Sequence, residues 1–399
     1  MASAVKDVQL QRALTFEHLI GFGVASIMGS GGFNLIGDAI IAGGRQFPIA
    51  LGLIAALFQG TSLVYQEAYS EFKTNSSESD IINKELGGIA ANVSSVSILL
   101  YALISTSVIL VICSKLLFPE GSWSGQISFA LVLLSGMTAV ALQGIEVDKE
   151  IISIAGLSIA CLLVFATTIG LVEIGTKGFP VKFPQSLDVK SSLVHSILYF
   201  YFVLAGFDIL MKFAEESKDP DRDLPRSFYT SNAISTLLTI GVCVAFLVVF
   251  TTHRFQENEN VIAKIVGTML GENAEQVTGF ISVVAVIVTG FVSFLAATRY
   301  MFSISISSTN PMLEQLRELN TVKAPWKMIA IAAFIIGIGI LNNNVFSLVR
   351  ISDILLTLTL LMVSASVSKM QVVKGKVPWI EGLTTAGLGA LLSACIMYR

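Results

Sequence analysis

Charge is what this chain has little of. Only 13% of its 399 residues are Asp, Glu, Lys or Arg, against 54% apolar ones, whereas soluble domains carry about 25% charged residues. A mean hydropathy of +0.77 is too high for one aqueous core with a polar surface. The chain therefore reads as an integral membrane protein in a lipid bilayer. A net charge of −3 excludes a nucleic-acid binder of the basic-patch kind. Cysteine is scarce as well: Cys113, Cys161, Cys243 and Cys395 all fall in apolar runs, where cysteine behaves as a small buried hydrophobe. A disulfide framework is thereby excluded. The histidines His18, His195 and His253 are far apart, and no HExxH or nucleophile motif occurs, so the chain is not expected to be an enzyme or to hold a metal or cofactor. Residues 1–17 are largely polar and the first apolar run is too long for an h-region, so no cleavable signal peptide is expected.

What the chain does have is long apolar runs. A helix of about 20 apolar residues crosses a bilayer, and eleven such spans fall near 18–42, 47–70, 91–114, 126–144, 151–173, 192–213, 227–251, 276–303, 326–342, 345–368 and 380–398. The connections are short, so residues 1–399 form one all-α membrane domain; a short interfacial helix is expected over 259–271. With the N-terminus in the cytoplasm, fifteen Lys and Arg residues fall inside and nine outside, which favours that orientation. The plasma membrane is the expected location. The sequons at Asn75 and Asn92 then face the cytoplasm and stay unmodified.

Two spans are interrupted by glycine. Span 1 carries Gly29-Ser30-Gly31-Gly32-Phe33 at its midpoint, and span 6 carries Ala205-Gly206-Phe207-Asp208 in its second half. Each glycine costs about 1 kcal/mol of helix propensity, and unwound backbone at membrane depth survives only where it lines a cavity or is buried in protein. A half-helix starting after Gly29 aims free amides and a positive dipole end at an anion, while one ending near Ala205 leaves carbonyls for a cation. The pair suits an α-amino acid, whose carboxylate and ammonium lie close together. Broken helices at corresponding places also mark transporters with inverted repeats. Here the repeats are expected over 18–173 and 192–368, with 380–398 as an extra helix.

The stretch from Ile20-Gly21-Phe22-Gly23 to Gly31-Gly32-Phe33 resembles the first span of amino acid permeases of the amino acid–polyamine–organocation superfamily. Phe200 to Asp208, running on to Glu215-Glu216-Ser217-Lys218-Asp219-Pro220 and Arg222-Asp223-Leu224-Pro225, is similar to that family's sixth span and following loop. Thr298-Arg299 closing span 8 is a further match. The resemblance implies a leucine-transporter-like 5+5 fold with helices 1 and 6 broken, and alternating access for an amino acid. It places the substrate carboxylate on backbone amides at Ser30 and Gly31, beside Gly32. It places the ammonium on carbonyls of Ile27, Phe202 and Ala205, beside Gly206, and makes Phe202 a gate. Asp208 looks most like the cationic amino acid branch. Competing readings are a polyamine or organic-cation carrier of the same superfamily and a non-transporting amino acid receptor.

Ionisable residues inside a membrane are expensive and usually functional. Glu67, Glu215, Glu216 and Arg299 all belong at the cytoplasmic side, where Arg299 is expected to pair with one of these carboxylates and latch an inner gate. Arg350 and Asp353, three apart, suit a local ion pair. For coupling, sodium-dependent relatives hold an ion between span 1 carbonyls and span 8 hydroxyls, which makes Thr289 and Ser293 candidates for Na+. Some H+-coupled relatives carry a lysine within span 5. Here Lys149 precedes that span, which speaks against a proton site of that kind.

Overall fold

Long apolar runs form helices wherever glycine and polar residues let them continue. The computed structural model describes residues 9–29, 31–118, 121–178, 189–249, 260–308, 310–342 and 345–397. The helices in chain order are α1 (Phe16–Met28), α2 (Gly31–Gly43), α3 (Phe47–Phe72), α4 (Ser77–Leu86), α5 (Gly88–Leu117), α6 (Trp123–Ala141), α7 (Ile145–Lys177) and α8 (Val189–Leu204). A 3₁₀ segment, Phe207–Glu216, follows. Then come α9 (Pro220–Val249), α10 (Val261–Leu270), α11 (Glu272–Ser307), α12 (Pro311–Glu314), α13 (Trp326–Ile340), α14 (Val345–Val373) and α15 (Trp379–Met397). The described residues contain no strand, only an isolated parallel bridge between Leu14 and Ser217.

Among the described residues, nine helical stretches are long and apolar enough to cross a membrane. The eleven expected spans map onto α1 with α2, then α3, α5, α6, α7, α8 with the 3₁₀ segment, α9, α11, α13, α14 and α15. The count is lower by the length criterion for two reasons. α13 has only 15 residues, and the halves of span 1 are separate short helices. Below, the end of the bundle that holds the start of α1 is called the lower end.

Each broken span has a local cause. Thr15 and His18 close a capping box at the start of α1, satisfying early amides that a helix leaves open. α1 then stops at Gly29, where an added Cβ would collide with the Thr289 hydroxyl of α11. α8 ends at Leu204, just before Gly206, whose φ of +122° lies where only glycine is comfortable. Beyond it the chain coils more tightly, and a ten-residue 3₁₀ run is well beyond the usual three or four. α1 crosses α7 with backbones almost touching, since a Cβ on Gly156 would meet the Gly21 carbonyl. Small residues permit such approach in membranes.

Two elements depart from the sequence reading. The polar stretch after span 2 folds into α4, which buries Ile81, Ile82 and even Glu78. Glu78 and Asp80 in its first turn and Lys84 in its last complement the helix dipole. Cys161 is exposed rather than buried, unlike Cys113, Cys243 and Cys395, because it lies on the outward face of α7. The short helix expected near 259–271 is α10, capped where the Asn260 side chain accepts from Ala263 N at 3.0 Å, with Val261, Ile262, Ile265 and Val266 buried.

Candidate functional site

The two helix breaks meet. Ser26, in the last turn of α1, donates its hydroxyl to the Gly206 carbonyl at 3.0 Å, and a Cβ on Gly206 would lie 2.8 Å from Ser26 Oγ. Glycine at 206 thus serves both the backbone twist and the contact. Around this junction α2 begins at Gly31 and Gly32, so its first amides lack intrahelical acceptors, while the last carbonyls of α1 and α8 lack intrahelical donors. Ile27 is buried and Ala205 half-buried, with Ala205 N donating to Tyr201 O at 2.9 Å. Open amide donors and carbonyl acceptors thus belong to one junction. Such a junction favours a zwitterion: its anionic end toward the amides and its cationic end toward the carbonyls.

Aromatic side chains wall the junction. Phe202 is half-buried, 6.1 Å from the Tyr201 ring in an edge-on arrangement. Tyr201 is the more deeply buried neighbour: it stacks on Phe58 at 5.3 Å and accepts a hydrogen bond from Thr357 at 2.8 Å. On the α11 side, Thr289 donates to the Ala25 carbonyl at 2.7 Å and to its own Ala285 carbonyl at 3.1 Å. Ser293, one turn on, is buried. Ser30 and His253 lie outside the described residues.

At the lower end, charges are buried and paired. Arg299 of α11 is 0% exposed. Its Nε and Nη2 donate to Glu216 at 3.2 and 3.3 Å, and Nη2 also reaches Asp148 of α7 at 3.1 Å. A third arm of the guanidinium meets Thr298 at 3.2 Å. The N-terminal strand-like segment straps across the same place: Ala13 and Leu14 amides donate to the Glu216 carbonyl at 2.8 and 2.9 Å, and Lys218 N returns to Leu14 O at 2.8 Å. Glu215 turns away from Arg299 toward Asn75 N and Ser303, each at 3.3 Å. Glu67 meets Gln371 of α14 at 3.0 Å instead of the arginine. At the opposite end, Arg350 donates to the Ile396 carbonyl at 2.8 Å rather than simply pairing along its helix.

Asp148 and the buried pair Lys212–Glu78 were not legible from sequence. Asp148 sits at the polar start of span 5, where an acidic residue passes for an ordinary helix-dipole partner. Lys212 reads as a loop cation until the 3₁₀ segment carries it inward against Glu78. The one available signal was that Lys212 interrupts an apolar run between Met211 and Phe213.

Comparison with known proteins agrees with this layout. A profile of the family described as "Amino acid permease" matches residues 14–398. The chain belongs to the amino acid permease family. It is 21% identical over 331 residues to the "Cationic amino acid transporter 8, vacuolar" of Arabidopsis thaliana, covering 76% of this chain and 53% of that protein. It is 22% identical over 328 residues to the "Branched-chain amino acid permease BcaP" of Bacillus subtilis (strain 168), covering 76% and 69%. The chain thus spans about half the length of the first relative. Among solved structures, that of MhsT in complex with L-phenylalanine superposes with a TM-score of 0.70 at 13% identity, covering 97% of this chain and 100% of that one. The fold is an all-α membrane fold of the leucine-transporter type, and the chain is a multi-pass membrane protein.

Proposed function

We propose that this chain is a secondary transporter that moves amino acids across its membrane by alternating access. The Ser26–Gly206 bond between the two breaks is the observation that carries this reading, because it brings an amide-rich helix start and carbonyl-rich helix ends to one point. In this reading the carboxylate lies against amides of Ser30, Gly31 and Gly32. The ammonium lies against carbonyls of Ile27, Phe202 and Ala205, and Phe202 closes over the ligand. The family membership and the ligands named for the relatives support an amino acid; they do not choose its side chain.

The repeats 18–173 and 192–368 rock against each other around that site, and the lower end is cytoplasmic. There, Arg299 with Glu216 and Asp148, roofed by the strap at Ala13 and Leu14, closes the inner path. Glu215 and Glu67 tie the neighbouring α4 region and α14 to the same gate. Bound substrate drives the cycle only through contacts that differ between open and occluded states, and both half-helix ends change partners when span 1 swings away from span 6. Thr289 and Ser293 remain the candidate Na+ ligands, although Thr289 already gives its hydroxyl proton to the Ala25 carbonyl.

A binding measurement on purified protein tests the site directly. Labelled leucine and arginine should be displaced by free α-amino acids but not by their methyl esters or N-acetyl derivatives, since each removes one of the two charges. Displacement by spermidine alone would instead assign the site to polyamines. Binding without any transmembrane flux would assign a receptor.

A further inference from the structure

A second group of buried charges lies beside the break in span 6. Lys212 and Glu78 form an ion pair with side chains 3% and 1% exposed, and Asp208, one turn earlier in the 3₁₀ segment, is buried with them. Asp208 and Lys212 line one small cavity between α5, α11 and the 3₁₀ segment, bounded also by Tyr101, Ala297 and Tyr300; its volume of about 10 Å³ is close to that needed for a single water. The electrostatic partners of Asp208 are Lys212 and Glu78.

Around this trio the facing ionisable groups are phenols. Tyr65 of α3 lies beside Glu78, Tyr101 of α5 and Tyr201 of α8 lie within electrostatic reach of Asp208, and the Tyr300 ring of α11 sits 5.3 Å from the lysine ammonium. On α4, the Asp80 carboxylate accepts from the Thr74 and Ser76 hydroxyls at 2.8 and 3.1 Å. α1 meets the segment with an apolar contact, Phe22 on Phe213. Glu78 Oε1 and the Tyr65 hydroxyl are buried beside each other and have no other hydrogen-bond partner. Two carboxylates and one ammonium, all ionised, would leave one negative charge uncompensated away from water, which is costly. A single added proton neutralises the group, and strongly interacting sites hold such a proton jointly.

We propose that Glu78, Asp208 and Lys212 form a proton-binding site, so that one proton travels with the amino acid. The inference rests on the transport reading above. An O–H bond forms on a carboxylate of the trio with a proton taken from water on the loading side. It breaks when opening of the lower end admits water, and the proton leaves to that water; no electrons move.

The test uses proteoliposomes of the full chain with an amino-acid-free lumen, entrapped pyranine, and valinomycin with equal potassium on both sides. A mixture of the twenty amino acids spiked with labelled leucine and arginine is added without a pH gradient. The wild type should take up label and acidify the lumen. Asp208→Asn should lose at least tenfold of the proton signal per labelled amino acid moved. Lys212→Met, by removing the cation, should raise the pH midpoint of uptake by at least one unit. Label uptake by the wild type without acidification, or an Asp208→Asn ratio equal to that of the wild type, overturns the proposal. If Asp208→Asn moves nothing, Lys212→Met decides, and an unshifted midpoint overturns it. Wild-type vesicles that take up no label would overturn the transport reading itself, and this inference with it.

Discussion

Among its described residues the molecule buries two ionic trios, each with one cation and two carboxylates, and they are built differently. Arg299 spreads a planar fork over Glu216 and Asp148 and adds Thr298, tying α11, α7 and the 3₁₀ segment together. Lys212 offers a point charge to Glu78, with Asp208 buried nearby. Arginine's planar fork reaches two carboxylates at once, whereas an ammonium meets its partner as a point charge. On the reading proposed above, the first trio is a lock held by the arginine fork. The second is a group whose charge can change during a cycle. Their positions fit that division: the lock lies under the N-terminal strap, and the lysine trio lies nearer the helix break.

The comparison breaks most sharply at the arginine. Arg299→Ala strands two buried carboxylates, a loss of about 3–5 kcal/mol for a broken buried pair. Counterflow of labelled amino acid in proteoliposomes should drop on the order of a hundredfold while binding to the purified protein stays measurable. Arg299→Lys should not restore it, because an ammonium cannot reproduce the fork; full counterflow in either variant would refute the lock. Glu78→Gln should cost less, about 1–2 kcal/mol, because Asp208 stands ready to neutralise Lys212. A thermal-melt comparison of the two variants measures the gap, and an equal loss would erase the distinction between the trios. Ser26→Ala removes the bond between the breaks, worth about 1 kcal/mol, and should weaken labelled amino acid binding about fivefold. Smallest in stability is Thr289→Val, whose lost bond to Ala25 costs under about 1 kcal/mol. As a candidate Na+ ligand is lost, any stimulus of uptake by sodium over choline should disappear, and a stimulus equal to that of the wild type would remove Thr289 from the ion site.

Much of the fold was legible in the sequence for a physical reason. Lipid makes the hydrophobic requirement of a span continuous, so α5, α7 and α11 announce themselves by apolar length, and the glycines at 29 and 206 announce the breaks by their cost in a helix. α4 was invisible because Ser77–Leu86 carries too little apolar length to be read as a span. Pairings across the chain were harder still. Arg299 was placed at an inner gate from its sequence position, yet Asp148 lies 151 residues away, and no local pattern tells which carboxylate a distant arginine will meet. Lys212 was misplaced among loop cations because an apolar window of helical period does not anticipate the tighter 3₁₀ coil that turns it inward. The convergence of Ser26 on Gly206, 180 residues apart, likewise belongs to tertiary structure alone.

Uptake of labelled arginine and leucine into proteoliposomes, each competed with unlabelled α-amino acids and with spermidine, tests the central claim most directly. The two-break site predicts saturable uptake that α-amino acids block and spermidine does not, and that Gly206→Ala abolishes by forcing a Cβ against Ser26. Uptake blocked by spermidine alone, or undiminished in Gly206→Ala, would contradict it.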